Sequence, residues 1–212
     1  MIVSRFIKKS PLALGMVLLV SQFAFAVATD KDPPELLMGA SADMISNTCT
    51  GCHGIDGTSQ GPAIPSIGGM SKTYLVESME GFKSGDIPST IMGRIAKGYT
   101  TEEFQQMGDY FAAKSYVPAK QEFDAELAEK GKKYHKKYCA QCHDEAGMLA
   151  DDEAGFLGGQ WKPYLHATLT DFIAGDRHAP KKMNKKLKKM IKKRGKDSVE
   201  ALIEYYAQKG SK

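Results

Sequence analysis

Two short segments decide the fold: Cys49-Thr50-Gly51-Cys52-His53 and Cys139-Ala140-Gln141-Cys142-His143. Both segments read C-x-x-C-H, and a shift of 90 positions superposes the first on the second. The same shift aligns further pairs in the same order along the chain: Gly68-Gly69 with Gly158-Gly159, Tyr74-Leu75 with Tyr164-Leu165, Phe82 with Phe172, and Gly85-Asp86 with Gly175-Asp176. Ordered matches at one period indicate an internal duplication.

The duplicated unit is about 85–90 residues long. Its seam falls between Val117 and Gln121, where Pro118 predicts the end of a helix or a linker. We therefore expect an N-terminal domain over residues 29–117 and a C-terminal domain over residues 118–212.

Hydrophobic periodicity predicts helices in both halves and strands in neither. Apolar residues recur at helical spacing over Thr100 to Lys114, Glu122 to Tyr138 and Ser198 to Lys209. We expect Thr101 and Glu103 to cap the first of these helices and Ser198 to cap the last. The sequence predicts an all-α fold.

The two C-x-x-C-H motifs point to covalent haem. Two thiols one helical turn apart can add across the two vinyl groups of a haem, and the adjacent histidine can then bind the iron. Two C-x-x-C pairs could also bind zinc or form short disulfides. Neither alternative needs a histidine after both pairs, so we expect haem c on Cys49, Cys52 and His53, and again on Cys139, Cys142 and His143.

Methionines at matching positions are candidates for the second axial ligands. Met92 lies 39 residues after the first motif histidine, and Met183 lies 40 residues after the second. A thioether favours reduced iron and raises its potential. Met190 competes with Met183 for the second iron, and His178 is a further alternative; the repeat favours Met183.

The first 28 residues have the three parts of a secretory signal peptide. A basic start precedes the apolar run Leu12 to Val20, which is too short to span a bilayer. Small residues at Ala24 and Ala26, or at Ala26 and Ala28, then suit cleavage. We expect cleavage and export to the periplasm rather than an uncleaved anchor, and no membrane span in the mature chain.

Composition and charge narrow the function. The 212 residues are 42% hydrophobic and 25% charged, which suits a globular protein, and four cysteines are too few for a disulfide scaffold.

The two halves differ in charge. Residues 29–117 carry a net charge of −5, and residues 118–212 carry +6. Ten of the positive charges lie within residues 181–196, which contain no acid. That run is either a solvated helix face or an electrostatic dock for an acidic redox partner. Export argues against a nucleic-acid partner.

Longer segments resemble a known family. Met79 to Tyr99, Tyr116 to Lys120 and Gly158 to Leu165 are similar to the cytochrome subunit of flavocytochrome c sulfide dehydrogenase, and the whole resembles the related tandem dihaem cytochromes of the c-four type. The resemblance implies two class I cytochrome c domains. It also implies a periplasmic complex in which a flavoprotein subunit oxidises sulfide at FAD and passes electrons to the haems. We expect a soluble electron acceptor, such as a small cytochrome, to receive them. On this basis the chain is an electron-transfer subunit and not an enzyme by itself.

The resemblance also assigns roles to individual residues. Met92 and Met183 match the family's axial methionines, and Pro62 matches the proline whose carbonyl accepts a hydrogen bond from the proximal imidazole. The second half departs from this pattern because Asp152 stands at the position of the proline. We therefore expect the two haems to differ in environment.

Two other functions fit the motifs. A free dihaem cytochrome could shuttle electrons to a terminal oxidase without a stable partner. A dihaem peroxidase would need an open iron position, whereas each half here offers a methionine to close it. We rank the peroxidase last.

Overall fold

The computed structural model of the chain describes residues 39–211. The predicted signal peptide, residues 1–28, lies outside the described residues. Within residues 39–211 the chain forms helices and turns and no strand, which confirms the all-α prediction. None of the helices in this range is long and apolar enough to cross a membrane.

The helices form two series of similar order. The first half contains α1 (Ala42–Asn47), α2 (Thr50–His53), α3 (Lys72–Ser84), α4 (Met92–Ala96) and α5 (Thr101–Ala112). The second half contains α6 (Ala125–Tyr134), a π-helical turn (His135–Cys139), α7 (Lys162–Ala174), α8 (Lys181–Arg194) and α9 (Asp197–Ala207). Short 3₁₀ turns follow the two motifs at Ile55–Gly57 and Glu145–Gly147.

The duplication is visible in the backbone. Helices α3 and α7 both have 13 residues and begin 90 positions apart. Each ends at a glycine in the left-handed region, Gly85 with φ 91° and Gly175 with φ 89°, where a side chain would be strained. The halves diverge at the next helix, because α4 has 5 residues and α8 has 14. The internal repeat is confirmed, and α8 is its principal variation.

Each half has its own apolar core, built on its last helix. In the first half Phe104, Met107 and Phe111 are buried on one face of α5, which packs against α1 and α3. In the second half Leu202 and Tyr206 are among the buried residues of α9, which packs against α6, α7 and α8. Burial of such side chains is worth about 1.5–3 kcal/mol each. The apolar residues whose periodicity predicted α5 and α9 are therefore the residues that form the two cores.

The ends of the helices differ from the predictions. The helix predicted from Glu122 begins at Ala125, and it passes into the π-helical turn before the second motif. Thr100 rather than Thr101 caps α5, and its hydroxyl forms a capping box with Glu103. Ser198 is not a cap, because its hydroxyl donates to the Gly195 carbonyl (2.6 Å) from inside the first turn of α9. The periodicity located the three helices, whereas side-chain hydrogen bonds from Thr100 and Asp124 mark the first residues of α5 and α6.

The segment that follows Gly158 joins the halves. Gln160 is wholly buried; its Oε1 accepts from the Ser66 backbone N–H (2.9 Å) and its Nε2 donates to the Ser66 carbonyl (2.9 Å). The indole N–H of Trp161 donates to the Ser59 carbonyl (3.3 Å). These bonds span more than 90 positions of sequence, and they hold the loop after the first motif against the second half.

Candidate functional site

Each C-x-x-C-H motif forms a single helical turn. The backbone N–H of His53 donates to the Cys49 carbonyl (2.9 Å), and that of His143 donates to the Cys139 carbonyl (3.1 Å). This turn brings the two cysteines of a motif to the same side of the backbone, with the histidine following directly. The spacing in the sequence therefore places both cysteine side chains where they can attach to the same planar group.

The two thiols of each motif differ in exposure. All four cysteines lie in the described part of the chain, and none forms a disulfide there. Burial raises the pKa of the Cys139 thiol to about 11, and it also raises the pKa of Cys49. Cys52 and Cys142 are exposed. Each motif thus has one half-buried and one exposed cysteine.

The imidazole of His53 is oriented by a proline carbonyl, but not the predicted one. Its Nδ1 lies 2.9 Å from the carbonyl oxygen of Pro65, to which it donates. The assignment to Pro62 is wrong, because the loop carries Pro62 to an exposed position and returns to the imidazole three residues later. Burial lowers the pKa of His53, so the ring is neutral at pH 7 and its Nε2 is available to a metal.

His143 lacks a hydrogen bond of the kind that orients His53. Its Nδ1 is buried and finds no hydrogen-bond acceptor among residues 39–211. The repeat position of Pro65 is Gly155, and Asp152 does not replace it, since its carboxylate accepts from the Ser71 hydroxyl instead (2.6 Å). Burial also lowers the pKa of His143, although Asp151 and Asp144 act in the opposite sense. The two motif histidines therefore differ in their surroundings, in the sense that the sequence predicted.

A large cavity opens beside the second motif. Its volume is about 730 Å³, within the range of roughly 300–1,000 Å³ that is usual for cofactor and ligand sites. Cys139, Cys142 and His143 line it together with Met183, Met190 and His178. The structure thus brings the predicted ligand Met183 and both of its competitors to one cavity.

The two methionines of α8 differ in environment. Met190 is 0% exposed and belongs to the core cluster with Leu187 and Leu202. Met183 is only half-buried and lies in the first turn of the helix. The packing of Met190 matches that of a core side chain, whereas Met183 lacks such a role.

The cavity suits a haem in its chemistry as well as its size. Most of its wall is apolar, and its charged lining residues have both signs: the cations are Arg177, Lys182 and Lys186, and the acids are Glu77, Asp86, Asp151 and Glu153. A haem has an apolar ring and two carboxylates, so apolar walls with a few cations are complementary to it. The residues present fit the group.

Three of the four corresponding side chains line a smaller cavity beside the first motif. Cys49, His53 and the predicted ligand Met92 line one cavity, with Met79 and Phe104. Its volume is about 50 Å³. The residues fit by chemistry and by the repeat, and the volume distinguishes this site from the second.

Helix α3 forms a wall of both cavities, which the sequence analysis missed. Leu75 and Met79 line the first cavity, while Tyr74, Ser78 and Gly81 line the second. The two sets occur at helical spacing on different faces of α3. A helix with functional residues on two faces lacks the single apolar stripe that sequence periodicity detects.

The chain is similar in sequence to known cytochromes. A sequence profile of the cytochrome c family matches residues 41–115. The chain is 40% identical over 102 residues to the cytochrome subunit of sulfide dehydrogenase from Chlorobaculum tepidum, covering 47% of this chain and 92% of that protein. It is 28% identical over 212 residues to a thiosulfate dehydrogenase electron acceptor from Stutzerimonas stutzeri, covering 95% of both chains.

The fold is also found in solved structures. The crystal structure of reduced recombinant cytochrome c4 from Pseudomonas stutzeri matches with a TM-score of 0.63 at 26% identity, covering 79% of this chain and 98% of that one. These similarities confirm the resemblance indicated by the sequence segments, and they confirm two tandem class I cytochrome c domains.

Proposed function

The chain belongs to the cytochrome c family, and on that premise we propose that it is a periplasmic electron-transfer subunit that accepts electrons from the FAD subunit of a sulfide dehydrogenase. Its two C-x-x-C-H motifs carry two covalent haem c groups. The observation that carries the proposal is the 40% identity to a sulfide dehydrogenase cytochrome subunit over 92% of that protein.

We assign the cofactor contacts by motif and by cavity. Cys49 and Cys52 attach the first haem, and Cys139 and Cys142 attach the second. His53 and Met92 would bind the iron in the first half, and His143 and Met183 would bind it in the second. A bound haem supplies an iron that gains or loses one electron at a time.

The protein's own groups determine how each iron is held. Burial keeps both imidazoles neutral, and the Pro65 carbonyl fixes the orientation of the His53 ring. Apolar walls exclude water and lower the local dielectric, which favours the less charged state of the site. Two one-electron sites in one chain match the two electrons that a sulfide ion releases on oxidation.

We place the flavoprotein on the acidic first half. The segment Met79 to Tyr99 resembles the cytochrome subunit of flavocytochrome c sulfide dehydrogenase. It also contains Met92, the predicted ligand of the first haem. It also presents Ile91, which is 56% exposed, beside the first site. Ile95, four residues further along, is 39% exposed, and exposed apolar side chains that cluster on a surface are typical of protein interfaces. Residues 1–28 serve export in this proposal, and the domains extend over residues 29–117 and 118–212.

Purification of the tagged full-length chain from its own host tests the proposal. We expect a second chain containing FAD to copurify, and sulfide to reduce the haems of the complex. Mass spectrometry should find two haems on a chain that begins near residue 27 or 29. A preparation without flavin that sulfide cannot reduce would contradict the proposal.

A paired substitution tests the docking face. Ile91→Asp should weaken flavoprotein binding at least tenfold, since it places a charge in an apolar contact. Ile173→Asp is the matched control, because Ile173 is an exposed isoleucine of the second half (41%). Weaker binding in the Ile173 variant alone would reverse the assignment of faces.

A second candidate function is a free electron carrier. The relative that aligns over 95% of both chains is a thiosulfate dehydrogenase electron acceptor, whereas the sulfide dehydrogenase subunit aligns with 47% of this chain. A carrier of this kind would purify alone, and a thiosulfate dehydrogenase with thiosulfate would reduce it.

A further inference from the structure

Helix α8 has an uncompensated positive face. Residues 181–196 contain ten Lys and Arg and no acid. Lys185, Lys189 and Lys192 are exposed along its outer side, while Leu187 and Met190 are buried on the inner side. None of the four ion pairs within residues 39–211 involves an α8 side chain. The positive charge is therefore presented to whatever approaches the helix from outside.

This face lies directly behind the second cavity. Lys182, Met183 and Lys186 line the cavity from the same helix. An α-helix with its side chains is about 10–12 Å across. A protein bound to the outer lysines would thus be about one helix diameter from the second site.

Residues 39–117, the described part of the first half, have no equivalent surface. The corresponding helix, α4, has 5 residues, of which Arg94 is the only charged one. The first half as a whole is acidic, with a net charge of −5 over residues 29–117. The positive face thus distinguishes the second site from the first.

We propose that the outer face of α8, formed by Lys185, Lys188, Lys189 and Lys192, is the docking surface for an acidic redox protein that takes electrons from the second site. This inference rests on the proposed electron-transfer function and gives it a direction: electrons enter at the acidic half and leave at the basic half. In each encounter the protein loses one electron and the partner's redox centre gains it, with no bond made or broken. A complementary charge pair of this kind steers association and raises its rate.

A lipid surface fits the helix less well than a protein does. Amphipathic helices bind membranes by inserting their apolar side chains between the lipids. The apolar side of α8 is committed to the core of the second half, through Leu187 and Met190. The lysines alone remain for contact, and an acidic protein surface matches them.

The test measures oxidation of the reduced holoprotein by an acidic redox protein. The probe is a plastocyanin with an acidic surface patch, mixed with dithionite-reduced protein in a stopped-flow instrument at 0.01 M and 0.15 M ionic strength. The test variant carries Lys185→Gln, Lys189→Gln and Lys192→Gln. A second variant carries arginine at the same three positions and preserves the charge.

The control variant carries Lys120→Gln, Lys130→Gln and Lys133→Gln. These are exposed lysines of the same half, so the control loses the same net charge away from α8. Absorption spectra and midpoint potentials of all variants should equal those of the wild type, which shows that the haem sites are intact.

We expect the test variant to lose about tenfold in second-order rate constant at 0.01 M ionic strength, with a weaker dependence on salt. The arginine variant should stay within about twofold of the wild type, and the control should lose no more than about threefold. Equal losses in the test and control variants would overturn the proposal. Binding to phosphatidylglycerol vesicles that depends on the three lysines, with an unchanged plastocyanin rate, would overturn it in favour of a lipid surface. The assay uses neither sulfide nor flavoprotein, so its outcome is independent of the test of the sulfide dehydrogenase assignment.

Discussion

Replacing Gln160 with alanine tests whether the two halves behave as one unit. The side chain is 0% exposed, and its amide satisfies both polar groups of the Ser66 backbone. Alanine removes the donor and the acceptor together. The Ser66 N–H and carbonyl then remain buried at the junction without these partners.

The structure sets the size of the effect. Ser66 is itself 1% exposed, so bulk water does not reach the two groups. Each buried polar group left unpaired costs about 1–3 kcal/mol. A water molecule admitted into the space of the amide would recover part of this cost. We expect the free energy of unfolding to fall by about 3 kcal/mol, which corresponds to roughly 6–12 °C in Tm for a chain of this size.

Guanidinium unfolding of the dihaem protein, followed by circular dichroism, measures the loss. Gln160→Glu provides a second variant, because a carboxylate keeps the acceptor for the Ser66 N–H but faces the Ser66 carbonyl without a proton. Burial raises the pKa of such a group, so its protonated form favours folding at low pH and that contribution is lost as pH rises above about 4.3. The gap in stability between Gln160→Glu and the wild type should therefore narrow as pH falls.

Gln60→Ala is the matched control, since Gln60 is exposed in the loop after the first motif. It should change stability by less than about 0.5 kcal/mol. If Gln160→Ala costs no more than this control, the bonds to Ser66 do not hold the halves together. The reasoning from buried hydrogen bonds would then be refuted.

Two further predictions concern the cofactor sites. Met92→His and Met183→His should each lower the midpoint potential of one haem in a spectroelectrochemical titration, because imidazole stabilises oxidised iron relative to a thioether, whereas Met190→Leu should leave both potentials unchanged. Burial raises the pKa of Tyr74 to about 12, so the folded state retains a proton that the unfolded state loses above pH 10. Denaturant titrations between pH 10 and 12 should therefore show a smaller loss of stability in Tyr74→Phe than in the wild type.

The sequence predicted those features of the structure that depend only on the spacing of residues along the chain. The period of 90 residues and the C-x-x-C-H motifs determine local geometry, because a motif of five residues needs only one helical turn to form. Helix α5 was predicted for the same reason, since Phe104, Met107 and Phe111 repeat on one face. In both cases the physical cause acts within a few residues of the chain.

The misassigned acceptor of His53 shows where this reasoning fails. Pro62 and Pro65 lie in one loop, and either carbonyl is close enough in sequence to reach the imidazole. The choice depends on how the loop between them folds, and in the structure that loop packs against Trp161 of the other half. A contact across 100 positions is not encoded in any local pattern.

The shared wall formed by α3 follows from packing between the halves, and it constrains how the two sites can vary. Leu75 and Met79 face one cavity, and Tyr74 and Ser78 face the other. Adjacent positions on this helix thus belong to different sites, separated by about one helix diameter. A substitution that changes the size or tilt of α3 must alter both sites, whereas a substitution in α8 alters only the second. Differences between the two haem potentials should therefore arise in α8 and in the hydrogen bond of each motif histidine. His53 donates to the Pro65 carbonyl in the first half, whereas Gly155 occupies the repeat position of Pro65 in the second.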